Sequence, residues 1–180
     1  MSGADPSRLE WFGFRRGDKG THTSRTMMLD ELSSLFEQVP AGAPRARYAE
    51  AIVDGNVLRK PTGSTRKLTN QRLGELYGLD SSVPLFRVLR LFWEADAPGR
   101  PLLALLTALA RDPLLRASAD PVLRMRAGEE LARQALTNAV SAAVNDRLNP
   151  ETLDKVVRNT ASTWTQSGHL VGRARKTRQR

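Results

Sequence analysis

The apolar residues of this chain recur every three to four positions, and that period commits it to helices. Met28, Leu29, Leu32, Leu35 and Phe36 follow it, as do Leu153, Val156, Val157, Thr160 and Trp164 near the other end. No stretch alternates long enough to found a sheet. Ten prolines and thirteen glycines cut the 180 residues into short elements. The expected fold is all-α: a compact multi-helix protein with helix-turn-helix-like elements and room for a small C-terminal β wing.

Local signals divide the chain. Residues 1–22 read as a flexible arm whose Trp11, Phe12 and Phe14 can dock on the body. Residues 23–80 read as an N-terminal helical, helix-turn-helix-like domain, with a helix from Thr23 ended by "PAGAP" and a second over 45–53. Residues 81–172 read as a helical core and winged-helix-like region, and 173–180 as a basic tail. Within the core, "VPLFRVLRLFWEA" is apolar almost all round except for Arg87, Arg90 and Glu94, the pattern of a helix in mid-core. Residues 129–146 read as one long amphipathic helix, with Glu129 and Glu130 in its first turn and Leu131, Ala135, Leu136, Ala139, Val140, Ala143 and Val144 on one side. The last helix has Asn149 as N-cap, Pro150 at its first position and Gly168 just past its end. The segment "HLVGRARKTRQR" after it allows a short strand pair.

Charge narrows the function. Lysine and arginine total 28 against 19 acidic residues, a net of +9 with a pI near 10.9. Residues 41–80 hold seven basic against four acidic residues and residues 141–180 eight against three, while the first forty are slightly acidic. Such clustering draws polyanions, nucleic acid ahead of an acidic membrane surface. With no cysteine, disulfides, thiol chemistry and the usual zinc sites are excluded. The longest apolar run, "PLLALLTALA" over 101–110, is about half of what a bilayer needs, and no leader is evident, so a cytoplasmic protein is expected.

No catalytic motif is present: no HExxH, GxxxxGK[ST] or GxSxG. "PTGSTRK" lacks the glycine spacing of a phosphate loop. Two histidines, His22 and His169, stand far apart, and His169 follows a helix-ending glycine where packing at a turn is its ordinary role. A non-enzyme without metal or cofactor is expected.

Two surfaces carry the binding chemistry. In "RKPTGSTRKLTNQRLGELYG", 59–78, a helix capped by Ser64 or Thr65 would hold Arg66 and Lys67 in its first turn, where the dipole repels cations. Free N–H groups, the two hydroxyls and those cations together suit a phosphate. Arg59 and Lys60 flank the loop, and Asn70 and Gln71 continue the exposed face. In the last helix Lys155, Arg158, Asn159, Ser162, Thr165 and Gln166 fall within an arc of roughly 120°. No carboxylate follows Asp154, and Arg173, Arg175, Lys176, Arg178 and Arg180 close the chain. Arg pairs with guanine, Asn and Gln with adenine, and Ser, Thr and Lys reach phosphates. A recognition helix followed by a basic wing has this layout. So does a solvated surface helix with a basic tail.

The order of pieces resembles the BrxA family, small helical proteins of BREX (bacteriophage exclusion) defence systems. The likeness rests on "TSRTMMLDELSSLFEQV", "AIVDGNVLRKPTGSTRKLTNQRLGEL" and "ETLDKVVRNTASTWTQSGHLVG", about 65 of 180 residues. Residues 80–147 do not match residue by residue, and Trp164 and the polar "TASTWTQ" depart from the pattern. The resemblance implies a non-enzymatic component that binds double-stranded DNA beside a methyltransferase, an ATPase and a phosphatase-like partner. Two other readings stay open. One is a helical adaptor anchored on a protein partner by Trp11, Phe12 and Phe14. The other is an RNA-binding bundle, for which an aromatic content of 6% offers few stacking platforms.

Overall fold

Helices begin where the sequence supplies prolines and short polar caps. The computed structural model describes residues 5–179, so Arg180 and the first four residues of the arm lie outside the described residues. The helices are α1 (Pro6–Phe12), α2 (Leu29–Gln38), α3 (Arg45–Val53), α4 (Gly63–Tyr77), α5 (Pro84–Ala95), α6 (Arg100–Arg111), α7 (Pro113–Ala117), α8 (Ala119–Leu123), α9 (Arg133–Ala143) and α10 (Pro150–Gln166). A 3₁₀ turn (Thr21–Thr23) precedes α2, and a hairpin of β1 (Leu170–Val171) and β2 (Thr177–Arg178) follows α10. The fold is all-α with a small β wing. Proline stands in the first turn of α1, α5, α6, α7 and α10, where its missing N–H forfeits no bond.

Helix C-termini are finished by arginines. Arg90 donates to the Phe36 and Val39 carbonyls at the end of α2, and Arg66 to the Val53 carbonyl ending α3. Arg111 serves Gly74 and Glu75 on α4, Arg100 serves Trp93 on α5, and Arg116 serves Leu109 and Ala110 on α6. Each guanidinium meets carbonyls at the negative end of a helix dipole. Burial, with Arg15 nearby, lowers the Arg111 pKa to about 10.

The main apolar cluster runs from Met27 to Leu170 and crosses residue 80 without a break. Phe36 sits at its centre, edge-to-face with Phe86 and Trp93 at 5.9 and 5.1 Å between centroids. α5 departs from the mid-core expectation. Only Pro84, Phe86, Leu89, Arg90 and Trp93 turn inward, while Val88, Leu91 and Phe92 are 50%, 67% and 48% exposed. Arg90, expected on the solvent stripe, is buried at 4% exposure with its guanidinium 4.2 Å from the Phe36 ring centroid. The unpaired end of α2 draws it inward.

A second, smaller apolar cluster lies beside the main one. Leu114, Val140, Val144 and Val156 join α7, α9 and α10. Residues 129–131 are extended rather than helical, correcting the long helix expected over 129–146. The Leu131 N–H donates to the Lys176 carbonyl, the Gly128 N–H to the Arg178 carbonyl, and the Arg178 N–H to the Glu129 carbonyl. Gly128 at φ +80° turns the chain into this pairing, and α9 starts only at Arg133. The resulting order is helix, extended segment, two helices, strand, turn, strand. That is the connectivity of a winged helix-turn-helix, and a shortened α9 fits it.

One buried polar knot ties the halves together. The His22 Nδ1 lies 2.8 Å from Asp112 Oδ2 and its Nε2 2.9 Å from Thr163 Oγ1 on α10. Asp112 also accepts from the His22, Leu114 and Leu115 N–H groups, Thr163 accepts from the Met27 N–H, and Asn159 donates to the His22 carbonyl. The arm is thus not loose at its end, although Trp11 remains 66% exposed. A Cβ on Gly20 would overlap the Asp112 carboxylate. Burial alone would raise the Asp112 pKa, but the hydrogen bond and charge of His22 and the backbone donors outweigh it and hold the carboxyl below its ordinary value. A depressed carboxylate stabilises the fold above about pH 4 and loses that contribution as pH falls through its lowered pKa. Asp112→Ala is therefore expected to cost about 3–5 kcal/mol in urea denaturation at neutral pH. The gap to the parent should narrow in acid below that range. Gly20→Ala should destabilise the same contact.

Candidate nucleic-acid interface

α10 is placed by its inner face. Val156, Val157, Thr160, Ala161, Thr163 and Trp164 are buried, and the Trp164 indole N–H donates to Ser118 Oγ at 2.8 Å. The Asn149 side chain caps the Thr152 N–H at 2.8 Å, Pro150 opens the helix, and Gly168 turns out of it at φ +79°. These three signals were legible in the sequence. Trp164 is a core residue.

Between α10, the wing and the start of α9 lies an open groove of about 970 Å³. Arg133, Arg158, Arg173, Arg175 and Lys176 line it, with Glu130 as the one carboxylate in its wall. Ser162, Thr165 and Gln166 form its polar floor along α10. Arg173 and Arg175 are exposed at the tip, and Arg175 stands 4.0 Å from Glu130. The Lys176 ammonium donates to Thr165 Oγ1 at 2.8 Å and to the Gly172 carbonyl, and burial lowers its pKa. A side chain on Gly172, at φ +104°, would overlap the Arg175 carbonyl, so the turn at the base of the tip requires glycine.

Acidic neighbours occupy part of this set. Arg158 donates Nε to Asp154 Oδ2 at 2.9 Å, and Arg133 pairs with the other oxygen of the same carboxylate. Slight desolvation pulls the Asp154 pKa up, and the two guanidinium partners outweigh it and lower it. Lys155 pairs with Glu151 at 2.7 Å. All these groups are about half exposed or more, and such pairs hold their partners weakly. The terminal nitrogens of Arg158 stay available. Asn159 is different, since it turns inward to the His22 carbonyl at 2.8 Å. Arg178 donates to the His169 carbonyl at the hairpin base. His169 packs edge-to-face on Trp164 and bonds Ser167 Oγ at 3.0 Å, the structural role expected of it. Burial first, then Arg178, lowers its pKa.

The opening surface is largely spoken for. α4 is capped by Thr62, whose Oγ1 accepts from the Thr65 N–H at 3.1 Å, not by Ser64 or Thr65 as expected. Arg66 and Lys67 consequently stand in the second turn, past the repulsive end of the dipole. Arg66 is committed to the Val53 carbonyl at 2.9 Å, Lys60 to Glu31 at 3.0 Å, and Gln71 to Glu75 at 2.9 Å. Asn70 accepts from Arg45 at 2.7 Å. Arg59, Ser64 and Lys67 remain exposed. The two basic surfaces therefore differ in kind: one mainly joins helices, and the other opens a groove. Sequence reasoning missed Arg133, because a helix begun at residue 129 places it in the second turn, whereas α9 starts at Arg133 beside the groove. The glycine at 128 was the available signal.

The Asp112–His22–Thr163 chain has the connectivity of an acid–base–hydroxyl relay. Its His22 and Asp112 side chains are 0% and 2% exposed, and Thr163 is engaged by the Met27 N–H. It closes the core and opens on no substrate space. Among the described residues no cluster of His, Asp and Glu is arranged to hold a metal ion, and no helix is long and apolar enough to cross a membrane. No family model matches the chain, and no curated protein matches it.

Arg66→Ala separates the two kinds of surface. It should lower stability by about 1–2 kcal/mol by orphaning the end of α3. The Arg133–Lys176 groove should be untouched, so the affinity of a polyanion bound there, measured by fluorescence anisotropy, should stay within about twofold of the parent.

Proposed function

We propose that this protein binds double-stranded DNA through its C-terminal winged helix-turn-helix. The observation that carries the reading is the groove, where five cations from α9, α10 and the wing face one carboxylate. Lys155, Arg158, Ser162 and Gln166 present the outer side of α10 to base edges, and Arg173, Arg175 and Lys176 hold the flanking phosphates. The first turn of α9 has no side-chain cap and opens beside Arg133, so its N–H groups suit one further phosphate. Duplex is favoured over single strands because the groove has no aromatic lining on which bases would stack. The weak Glu151 and Asp154 pairs give way to phosphate and restrain the cations in the free protein.

On the resemblance described above, we assign this binding to a non-enzymatic part in a cytoplasmic phage-defence system of the BREX type. Its partners would be the methyltransferase, ATPase and phosphatase-like protein of such a system. Genes for a methyltransferase and a large ATPase beside this one would support that assignment, and a neighbourhood without them would remove it.

Anisotropy titrations of labelled duplex across a salt series test the DNA reading. Binding should weaken steeply with salt, and replacing Arg158, Arg173 and Arg175 together by Ala should flatten the slope by about 2–3, near 0.9 for each phosphate left without its cation. Structured RNA should compete more weakly than duplex DNA. A triple variant that keeps the parent's affinity at every salt concentration would sink the assignment.

A further inference from the structure

Among the described residues half of α5 has no partner. Val88, Leu91 and Phe92 point outward, and Leu102 and Leu106 of the adjoining α6 are 45% and 54% exposed. Five half-exposed large apolar side chains on two packed helices together expose on the order of 500 Å², the size at which apolar patches on monomers are commonly functional. None of the five lines the basic groove.

We propose that a second copy of this chain covers the face, with α5 packed antiparallel on its symmetry mate about a two-fold axis. The charge pattern selects this occupant. Between Pro101 and Ala110 no residue is charged, and on α5 the outward stripe is flanked only by Arg87 and Glu94. The face is thus neutral on a chain of net charge +9. A surface meant for an acidic protein or an anionic membrane would carry the chain's basic excess. Arg87 and Glu94 lie seven residues apart on one flank of the stripe, the same position two turns along. Antiparallel pairing brings equal flanks together, so Arg87 of each copy meets Glu94 of the other. Both ends are accessible. Arg87 rests on the Ser81 and Ser82 carbonyls at 3.1 and 3.3 Å, and the Glu94 carboxylate is 61% exposed beside Arg90. Val88, Leu91, Phe92 and Ala95 supply the three-and-four spacing of a helix-pairing seam. A seam this short needs a wider base, which Leu102 and Leu106 extend. About 500 Å² of apolar surface is the centre of an interface that needs roughly 800 Å² per copy with its polar rim.

Sedimentation velocity on the full chain, without DNA, reads the proposal directly. The parent should be a dimer at micromolar concentration and dissociate on dilution. Leu91→Glu should be a monomer with unchanged helical circular dichroism, since Leu91 touches solvent in the folded chain. Arg87→Glu alone should weaken association about tenfold, two attractive pairs becoming repulsive. Arg87→Glu combined with Glu94→Arg should restore it. A parent that stays monomeric at high micromolar concentration overturns the proposal and leaves the face to a different protein. A dimer that survives Leu91→Glu, or a double variant no tighter than Arg87→Glu, overturns it as well.

Discussion

A single carboxylate, sealed from water, holds this molecule to one arrangement. Asp112 sits at the junction of α6 and α7, caps the second of these, and receives His22 through both ring and backbone. Through His22 the same contact reaches Thr163 in the last turn of α10, and through Thr163 it reaches the Met27 N–H at the entry to α2. Buried polar groups are costly unless each is paired, so the knot tolerates few alternative packings. The orientation of α10, and with it the groove, follows from a contact that no ligand touches.

Arginine has two occupations in this chain. Five of these residues close the C-termini of α2 to α6, in a protein whose short helices leave many carbonyls unpaired. A basic total therefore overstates the charge free to meet a polyanion. What distinguishes the groove is position: its cations stand past the last capped helix of the core, around α10, whose own ends are satisfied by Asn149 and Gly168.

Legibility followed the range of the determining contact. α10 was readable because its cap, opening proline, apolar stripe and closing glycine are all local, and the arc that includes Lys155, Arg158 and Gln166 is exposed as its spacing implies. The extended run 129–131 was not, since it pairs with residues some 45 positions away, and a helical pattern with acids in the first turn looked complete without it. The cap of α4 was ambiguous within "TGST", where three hydroxyls compete and only Thr62 reaches the Thr65 N–H. Arg66 and Arg90 were misplaced for one reason. Their partners are carbonyls of other helices, which no spacing within their own helix reveals.

The wing is fastened at three points: to the 128–131 run by backbone bonds, to α10 by the Lys176–Thr165 contact, and to its own turn through Gly172. A loop of arginines left free would surrender much conformational entropy on docking, and that loss would be subtracted from its affinity. Fastened in this way, the tip has already met most of that cost during folding. Its reach from α10 is a fixed length, and under the proposed DNA binding the spacing between the two elements becomes a ruler that the duplex must match.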